Sequence, residues 1–273
     1  MRITISIFIC FQANSQVNYS DFITSGESTS YKKQAVKERE IVSYPYQREA
    51  DVKFSRRVIR CIDTRQKMNK QLEWPREPLN KLLYEKLLKG EIKAYRNDSL
   101  ISVYNPETEL SKRGGKELQI PIVDENGEWL KDSIAFEAMY FGKIKKYYLL
   151  EDWIFDYKYS VFKPRILAIA PIFNFDAAGK TFEQELCFMK MDEIRPLLAN
   201  TEMFNRYNDA ARLSFDDFFQ MRIFDSYIVK ESNVFDNTIN EFKEYEEDKI
   251  GALLKSDEIK NDLFIFEHDL WQY

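Results

Sequence analysis

The sequence is poor in the residues that most enzymes use for chemistry. Its 273 residues include a single histidine, His268, five residues before the last one. A catalytic nucleophile needs an imidazole, or a substitute for one, as its base. A position so close to a chain end is a poor place to hold a general base. We therefore expect His268 to be an ordinary half-exposed residue and the chain to lack a catalytic residue of this kind.

Motifs for cofactors and metals are also missing. The eight glycines form no glycine-rich phosphate-binding motif and no nucleophile elbow. Three cysteines and one histidine cannot supply the closely spaced ligands that zinc requires. The sequence therefore predicts no cofactor and no metal. One disulfide, between Cys61 and Cys187, is possible. We favour the alternative, in which both are buried free thiols that pack as small apolar groups.

Charge and hydropathy exclude two further classes of site. With 40 basic and 45 acidic residues, the chain lacks the positive excess that binds phosphate backbones, so no nucleic-acid partner is expected. No apolar run reaches the roughly 18 to 20 residues that span a bilayer. A hydrophobic content of 44% is nevertheless enough to fill a core. The composition therefore predicts a folded globular protein.

The first 15 residues differ from those that follow. A basic residue, Arg2, precedes a mostly apolar stretch of nine residues at positions 3–11, and Gln12 and the small residues Ala13 and Ser15 follow. This pattern predicts a signal peptide at residues 1–15, and a buried first strand is the alternative. A lipoprotein cleavage site needs a small residue before its cysteine, but Ile9 precedes Cys10. No acyl anchor is expected.

Residues 16–50 are rich in Ser, Thr, Tyr, Lys and Glu and show no sustained periodicity. This composition predicts a flexible N-terminal arm. Tyrosines are unusual in a fully solvated arm. The arm contains four of them: Tyr19, Tyr31, Tyr44 and Tyr46. Docking of the arm on a neighbouring subunit or, equally well, on the chain's own domain would explain them.

Residues 51–273 predict a single α+β domain with a central antiparallel sheet flanked by helices. Residues 147–155 and 161–173 are rich in the apolar and aromatic residues typical of strands. The polar residues 156–160 separate them, which predicts an antiparallel hairpin. Residues 166–172 are continuously apolar, as in a strand that is covered on both faces. Residues 182–189 are expected to form a third strand.

Helical spacing predicts a helical hairpin before this sheet, formed by residues 51–68 and 78–90. Pro78 fits the start of the second helix, and Gly90 fits the position just after its end. Residues 92–95 and 100–104 are predicted to form two short strands, and residues 106–128 are predicted to form turns.

Helices are also predicted after the sheet, where the chain returns to helix beyond Pro196. Ser214 and Asp217 form a variant of the capping box, which opens a helix with a buried side as far as Tyr227. Two final helices are expected at residues 239–254 and 256–268, interrupted at Gly251.

Carboxylates are the remaining candidates for chemistry. They cluster at the predicted hairpin and after Ser214: Glu151, Asp152, Asp156, Asp216 and Asp217. Two-acid hydrolysis needs carboxyl groups about 5 to 9.5 Å apart. In a strand, Glu151 and Asp152 point to opposite faces, and Asp152 and Asp156 lie about 13 Å apart at roughly 3.3 Å per residue. We favour helix capping for Asp216 and Asp217 over catalysis or calcium binding.

Aromatic residues interleaved with Asn, Asp and Arg are dense at residues 198–233, and residues 263–273 form an unusually apolar chain end. Aromatic and arginine side chains are enriched at the centres of protein interfaces. For the three phenylalanines among the candidates, we favour the core over a partner. The candidate partner-binding residues are Arg212, Phe215, Phe218, Phe219, Trp271 and Tyr273.

Four blocks of sequence resemble the GldN/PorN family of gliding-motility and type IX secretion proteins. Together they span nearly all of the chain after residue 50, whereas residues 16–50 carry no such resemblance. The blocks are residues 51–95 with FSRRVIRCIDTRQKMN and PLNKLLYEKLLKGEIKAY, residues 151–171 with EDWIFD and RILAIAP, residues 196–233 with NDAARLSFDDFFQMR and YIVKESNVFD, and the ending EHDLW.

The resemblance implies a non-enzymatic structural subunit in the periplasm, associated with the outer membrane. It implies a homo-oligomeric ring formed with a GldK/PorK-type lipoprotein, and contact with the periplasmic part of the GldM/PorM motor component. It implies no catalytic residue. The competing hypotheses are a periplasmic two-carboxylate hydrolase and a monomeric peptide-binding module.

Overall fold

The computed structural model of the chain describes residues 40–105, 116–123, 129–137, 141–177, 180–208 and 210–270. The predicted signal peptide, residues 1–15, and residues 16–39 of the predicted arm lie outside these ranges.

The described residues form twelve strands and four α-helices. The strands are β1 (Val52–Asp63), β2 (Ala94–Tyr95), β3 (Val103–Tyr104), β4 (Lys116–Val123), β5 (Trp129–Glu137), β6 (Ile144–Asp156), β7 (Val161–Ala177), β8 (Lys180–Glu185), β9 (Met189–Lys190), β10 (Glu202–Met203), β11 (Leu213–Ser214) and β12 (Tyr227–Glu231). The helices are α1 (Leu79–Leu88), α2 (Met191–Asn200), α3 (Phe215–Gln220) and α4 (Lys249–Asp269).

An antiparallel sheet organises the fold, with its strands in the order β12-β1-β6-β7-β8 and β9 paired to β7. The predicted hairpin is confirmed, because β6 and β7 pair from Asp156 opposite Val161 to Ile144 opposite Phe173. The central apolar part of β7 is covered on both faces, since Ile169 lies in one core cluster and Ala168 in another. The chain is therefore a single α+β domain, as predicted.

One face of the sheet carries two separate cores. Ile62 and Leu149 belong to the main core, which α1, α2 and α3 cover. Val58 belongs to a second core, which α4 covers. Because side chains of a strand alternate between faces, Val58 and Ile62 lie on the same face, with Arg60 between them. The opposite face carries smaller apolar clusters around Ile59 and Cys61.

The predicted helix at residues 51–68 is wrong, and with it the helical hairpin, because this segment forms strand β1. Val58, Ile59, Cys61 and Ile62 are all buried, since β1 lies between β6 and β12 and both of its faces are covered. A strand buried on both faces shows a continuous apolar run, which helical spacing also fits. The β-branched residues of this run favoured the strand.

Four other predicted boundaries differ from the structure. Residues 106–128 were expected to be turns, but β4 and β5 pair as a hairpin. The third strand, predicted at residues 182–189, is β8 and ends at Glu185, and the separate two-residue strand β9 begins at Met189. The helix after Ser214 ends at Gln220, where Arg222 with φ of 55° turns the chain towards β12. The final helices are one helix, α4, preceded by a 3-10 turn at Ile239–Glu241.

Gly251 does not interrupt a helix because it lies in the first turn of α4. The carboxylate of Asp248 accepts hydrogen bonds from the backbone N–H groups of Ile250 and Gly251 at 3.1 and 3.0 Å. A Cβ atom at Gly251 would lie 2.5 Å from Asp248 Oδ2, so the cap itself requires glycine here. None of the described helices combines the length and the apolar character needed to cross a membrane.

Helix α1 offers a direct test of the main core, because two adjacent leucines differ in burial. Leu87 is fully buried, whereas Leu88 is exposed. Leu87→Ala should lower the free energy of unfolding by about 2 to 5 kcal/mol, because it removes packed methyl groups and leaves a cavity. Leu88→Ala should change it by about 0.5 kcal/mol or less. Urea unfolding followed by circular dichroism measures both, and equal losses would contradict this assignment of the core.

Candidate functional site

Three charged side chains meet on the face of the sheet between the two cores. Arg60 Nε donates to Glu151 Oε2 at 3.0 Å. Arg222 Nη1 donates to Glu151 Oε1 at 2.9 Å, and its Nη2 donates to Oε2 at 3.2 Å. Glu151 is completely buried, and the side chain of Arg222 is 30% exposed. Both carboxylate oxygens are therefore occupied and screened from a substrate.

Trp153 completes this cluster. The guanidinium carbons of Arg60 and Arg222 lie 5.5 and 5.7 Å from the centre of its ring. Burial lowers the pKa of Arg60, and the charge of Glu151 opposes that shift. A buried charge is tolerated when it is paired and hydrogen-bonded, as here. The cluster therefore joins β1, β6 and the segment between α3 and β12, and it has the form of a structural ion network.

The other carboxylates of the β6–β7 hairpin also serve local structure. Asp152 binds Arg57 through both oxygens, at 2.7 and 2.9 Å. Asp156 accepts hydrogen bonds from the backbone N–H groups of Lys158 and Tyr159, at 2.9 and 3.3 Å. Glu151 and Asp152 thus face different arginines, and these groups do not converge on a common site.

The acidic pair after Ser214 divides into two structural roles. Asp217 and Ser214 form the predicted capping box, with backbone N–H groups donating to each other's side chains at 3.0 and 3.1 Å. Asp216 instead lies buried and binds Arg195 of α2 through both oxygens, at 3.0 and 3.1 Å. The Arg195–Asp216 pair was not predicted, because nothing in either local pattern indicates that α2 and α3 pack together.

Part of the predicted flexible arm is docked on the domain. The ring of Tyr44 lies 4.9 Å from the guanidinium carbon of Arg195 and 5.5 Å from that of Arg165. Gln220 Nε2 donates to Tyr44 Oη at 2.8 Å, and Arg165 Nη2 donates to the carbonyl of Pro45 at 2.6 Å. Burial raises the pKa of Tyr44. Of the two explanations for the arm tyrosines, docking on the chain's own domain holds for Tyr44.

Residues 41–47 line one side of a groove of about 680 Å³ whose other side belongs to β7 and α2. Side-chain contacts that are distant in sequence hold this segment, and composition alone does not reveal them. Tyr46 is exposed, whereas Tyr19 and Tyr31 lie outside the described residues.

The candidate partner-binding residues occupy different environments in the structure. Phe215, Phe218 and Phe219 are buried in the main core, which corrects their selection as partner-binding residues and agrees with the preference for a core position. Their spacing on α3 directs them inward, so they present almost no surface. Arg212 is half-buried. Trp271 and Tyr273 lie outside the described residues.

The described part of the chain contains no reactive thiol and no metal-binding group of residues. Cys61 and Cys187 are buried free thiols, as favoured above. Burial raises the pKa of Cys61 to about 11, so the unreactive protonated thiol predominates at neutral pH. Within the described ranges, no three His, Cys, Asp or Glu residues are grouped as a metal site. His268 lies on α4 and is exposed, where a half-exposed position was expected.

These features define an α+β domain whose candidate catalytic carboxylates are engaged in structural contacts. The family model described as "Gliding motility associated protein GldN" matches residues 47–272. The chain therefore belongs to the GldN family and is a gliding motility-associated protein, as its sequence blocks predicted. A search of curated proteins found no match.

Adjacent residues of β6 test the structural role of the ion cluster. Glu151→Gln should lower the free energy of unfolding by about 3 to 5 kcal/mol, because it leaves two arginines without their buried counter-charge. Asp152→Asn breaks only a solvent-accessible pair with Arg57 and should cost about 1 kcal/mol or less. Chemical denaturation of both variants measures the difference. Similar losses at the two positions would show that burial of the cluster is not important for stability.

Two arm tyrosines provide a matched test of the docked segment. Tyr44→Ala should lower the free energy of unfolding by about 1 to 2 kcal/mol, because it removes contacts with two guanidinium groups and the hydrogen bond to Gln220. Tyr46→Ala, at an exposed position two residues away, should leave the melting temperature unchanged. Differential scanning calorimetry of the isolated subunit compares them. An unchanged melting temperature for Tyr44→Ala would refute docking in solution.

Proposed function

We propose that the chain is a non-enzymatic structural subunit of the type IX secretion and gliding-motility machinery. In this proposal it works in the periplasm at the outer membrane and forms a ring together with a GldK/PorK-type lipoprotein. It also contacts the periplasmic part of the GldM/PorM motor component. Membership of the GldN family supports the assignment to gliding motility.

One observation carries the structural role. The acidic residues considered for two-acid hydrolysis are bound by arginines or by backbone N–H groups, in contacts that hold strands, turns and helix ends together. A hydrolase needs one carboxyl group that donates a proton and a second that faces the same bond. Arginine side chains engage both oxygens of Glu151, Asp152 and Asp216.

Charge pairs that do shift carboxyl pKa values also argue for structure. The hydrogen bond from Arg65 lowers the pKa of Asp63, and the hydrogen bond from Arg48 lowers that of Asp51. A general acid at neutral pH requires the opposite shift, towards a raised pKa. These two carboxylates are therefore salt-bridge partners and not candidates for a general acid.

The proposal predicts assembly that does not depend on an imidazole. In cells lacking the native gene, a His268→Gln variant should co-purify with the lipoprotein in one large complex and restore secretion and gliding as well as the unaltered chain does. Affinity purification followed by size-exclusion chromatography and electron microscopy tests complex formation. An unaltered chain that remains free of the lipoprotein would refute the proposal. Loss of secretion by an assembled His268→Gln variant would reopen an enzymatic role.

A further inference from the structure

The final helix, α4, is apolar on two opposite sides. Its inner side packs into the second core through Ala252, Ile259 and Leu263. Five large apolar side chains on the other side are between 52% and 73% exposed: Ile250, Leu253, Leu254, Phe264 and Ile265. We refer to these five residues as the α4 outer face. This face was not among the predicted partner-binding residues, because the two apolar sides together hide the helical periodicity.

The α4 outer face consists of two patches, Ile250, Leu253 and Leu254 near the start of the helix and Phe264 and Ile265 near its end, with Asp257 and Asn261 between them on the same side. At 3.6 residues per turn, its five residues fall within roughly one-third of the helix circumference. The 21 residues of α4 extend over roughly 30 Å at 1.5 Å per residue. A surface helix of a globular domain normally has one apolar stripe, which faces the core. Two further apolar patches on the solvent side of one helix indicate a protein interaction site.

Charge indicates what kind of surface covers this face. Residues 239–270 contain ten acidic and four basic residues, an acidic excess greater than the net charge of −5 for the whole chain. Acidic residues lie between and beside the apolar patches: Asp257 and Glu258 within α4, and Glu246 and Glu247 just before it. Two copies that met through this same face would bring like charges together, which disfavours them as partners.

We propose that the α4 outer face docks a partner protein whose apolar patch is bordered by lysine and arginine side chains. The inference rests on the proposed function, which supplies the lipoprotein as the partner to test. Apolar contacts combined with complementary charges are features of a specific interface. In the assembled machine this contact covers the α4 outer face, while the inner side holds the helix on the sheet.

The test measures binding of the full-length chain to the lipoprotein's soluble domain by biolayer interferometry. A Leu254→Gln/Phe264→Gln double variant should weaken binding roughly tenfold or more, because it removes one large apolar group from each patch. Glutamine is a good helix former, so α4 should persist. The control Ile101→Gln, also at an exposed apolar position, should bind within about twofold of the unaltered chain. Binding of the unaltered chain should weaken as salt is raised.

Three results would overturn the proposal in distinguishable ways. Failure of the unaltered chain to bind the lipoprotein would refute the proposed function itself. Normal binding by the double variant would refute docking at α4 while leaving the proposed function intact. A lower melting temperature of the isolated double variant, or loss of a self-associated form that the unaltered chain shows, would identify the chain's own arm or a second copy as the occupant.

Discussion

The buried carboxylate of Glu151 is the constraint that connects the two cores on one face of the sheet. It lies on the central strand β6 and binds Arg60 of β1 and Arg222 of the segment that leads into β12. The main core lies on one side of this cluster and the second core on the other. One carboxylate therefore links two strands, which the backbone ladder already pairs, to the segment by which the chain passes from α3 to the sheet edge.

Local signals in the sequence predicted the elements that local interactions determine. The β6–β7 hairpin, α1 with Gly90 at φ of 68° after its end, and the capping box at Ser214 were all found in this way. Strand β1 was missed because its burial on both faces depends on strands about 90 and 170 residues away in sequence. The Arg195–Asp216 pair was missed for the same reason, since only the packing of α2 on α3 brings its members together.

The functional predictions also divide into those that local sequence determines and those that depend on long-range contacts. Family membership was predictable because long blocks of sequence carry it, and the absence of catalytic motifs pointed to a structural role. The surface suited to a partner was not predictable, because burial decides which of two apolar sides of α4 remains exposed. The aromatic residues of α3 attracted attention through composition, but they fill the core. Placing a side chain inside or outside required the sheet, whose pairing is set by long-range contacts.

The central claim is that the Glu151 cluster serves structure and not chemistry. Apolar replacement of all three charges tests it most directly, because a structural ion cluster can be exchanged for apolar residues of similar size without loss of the fold. The measurement is gliding by cells that carry an Arg60→Met/Glu151→Leu/Arg222→Met variant, shown to be folded and present at the normal level. The account predicts that gliding is retained. A folded and assembled variant that abolished gliding would show that the charges themselves are required.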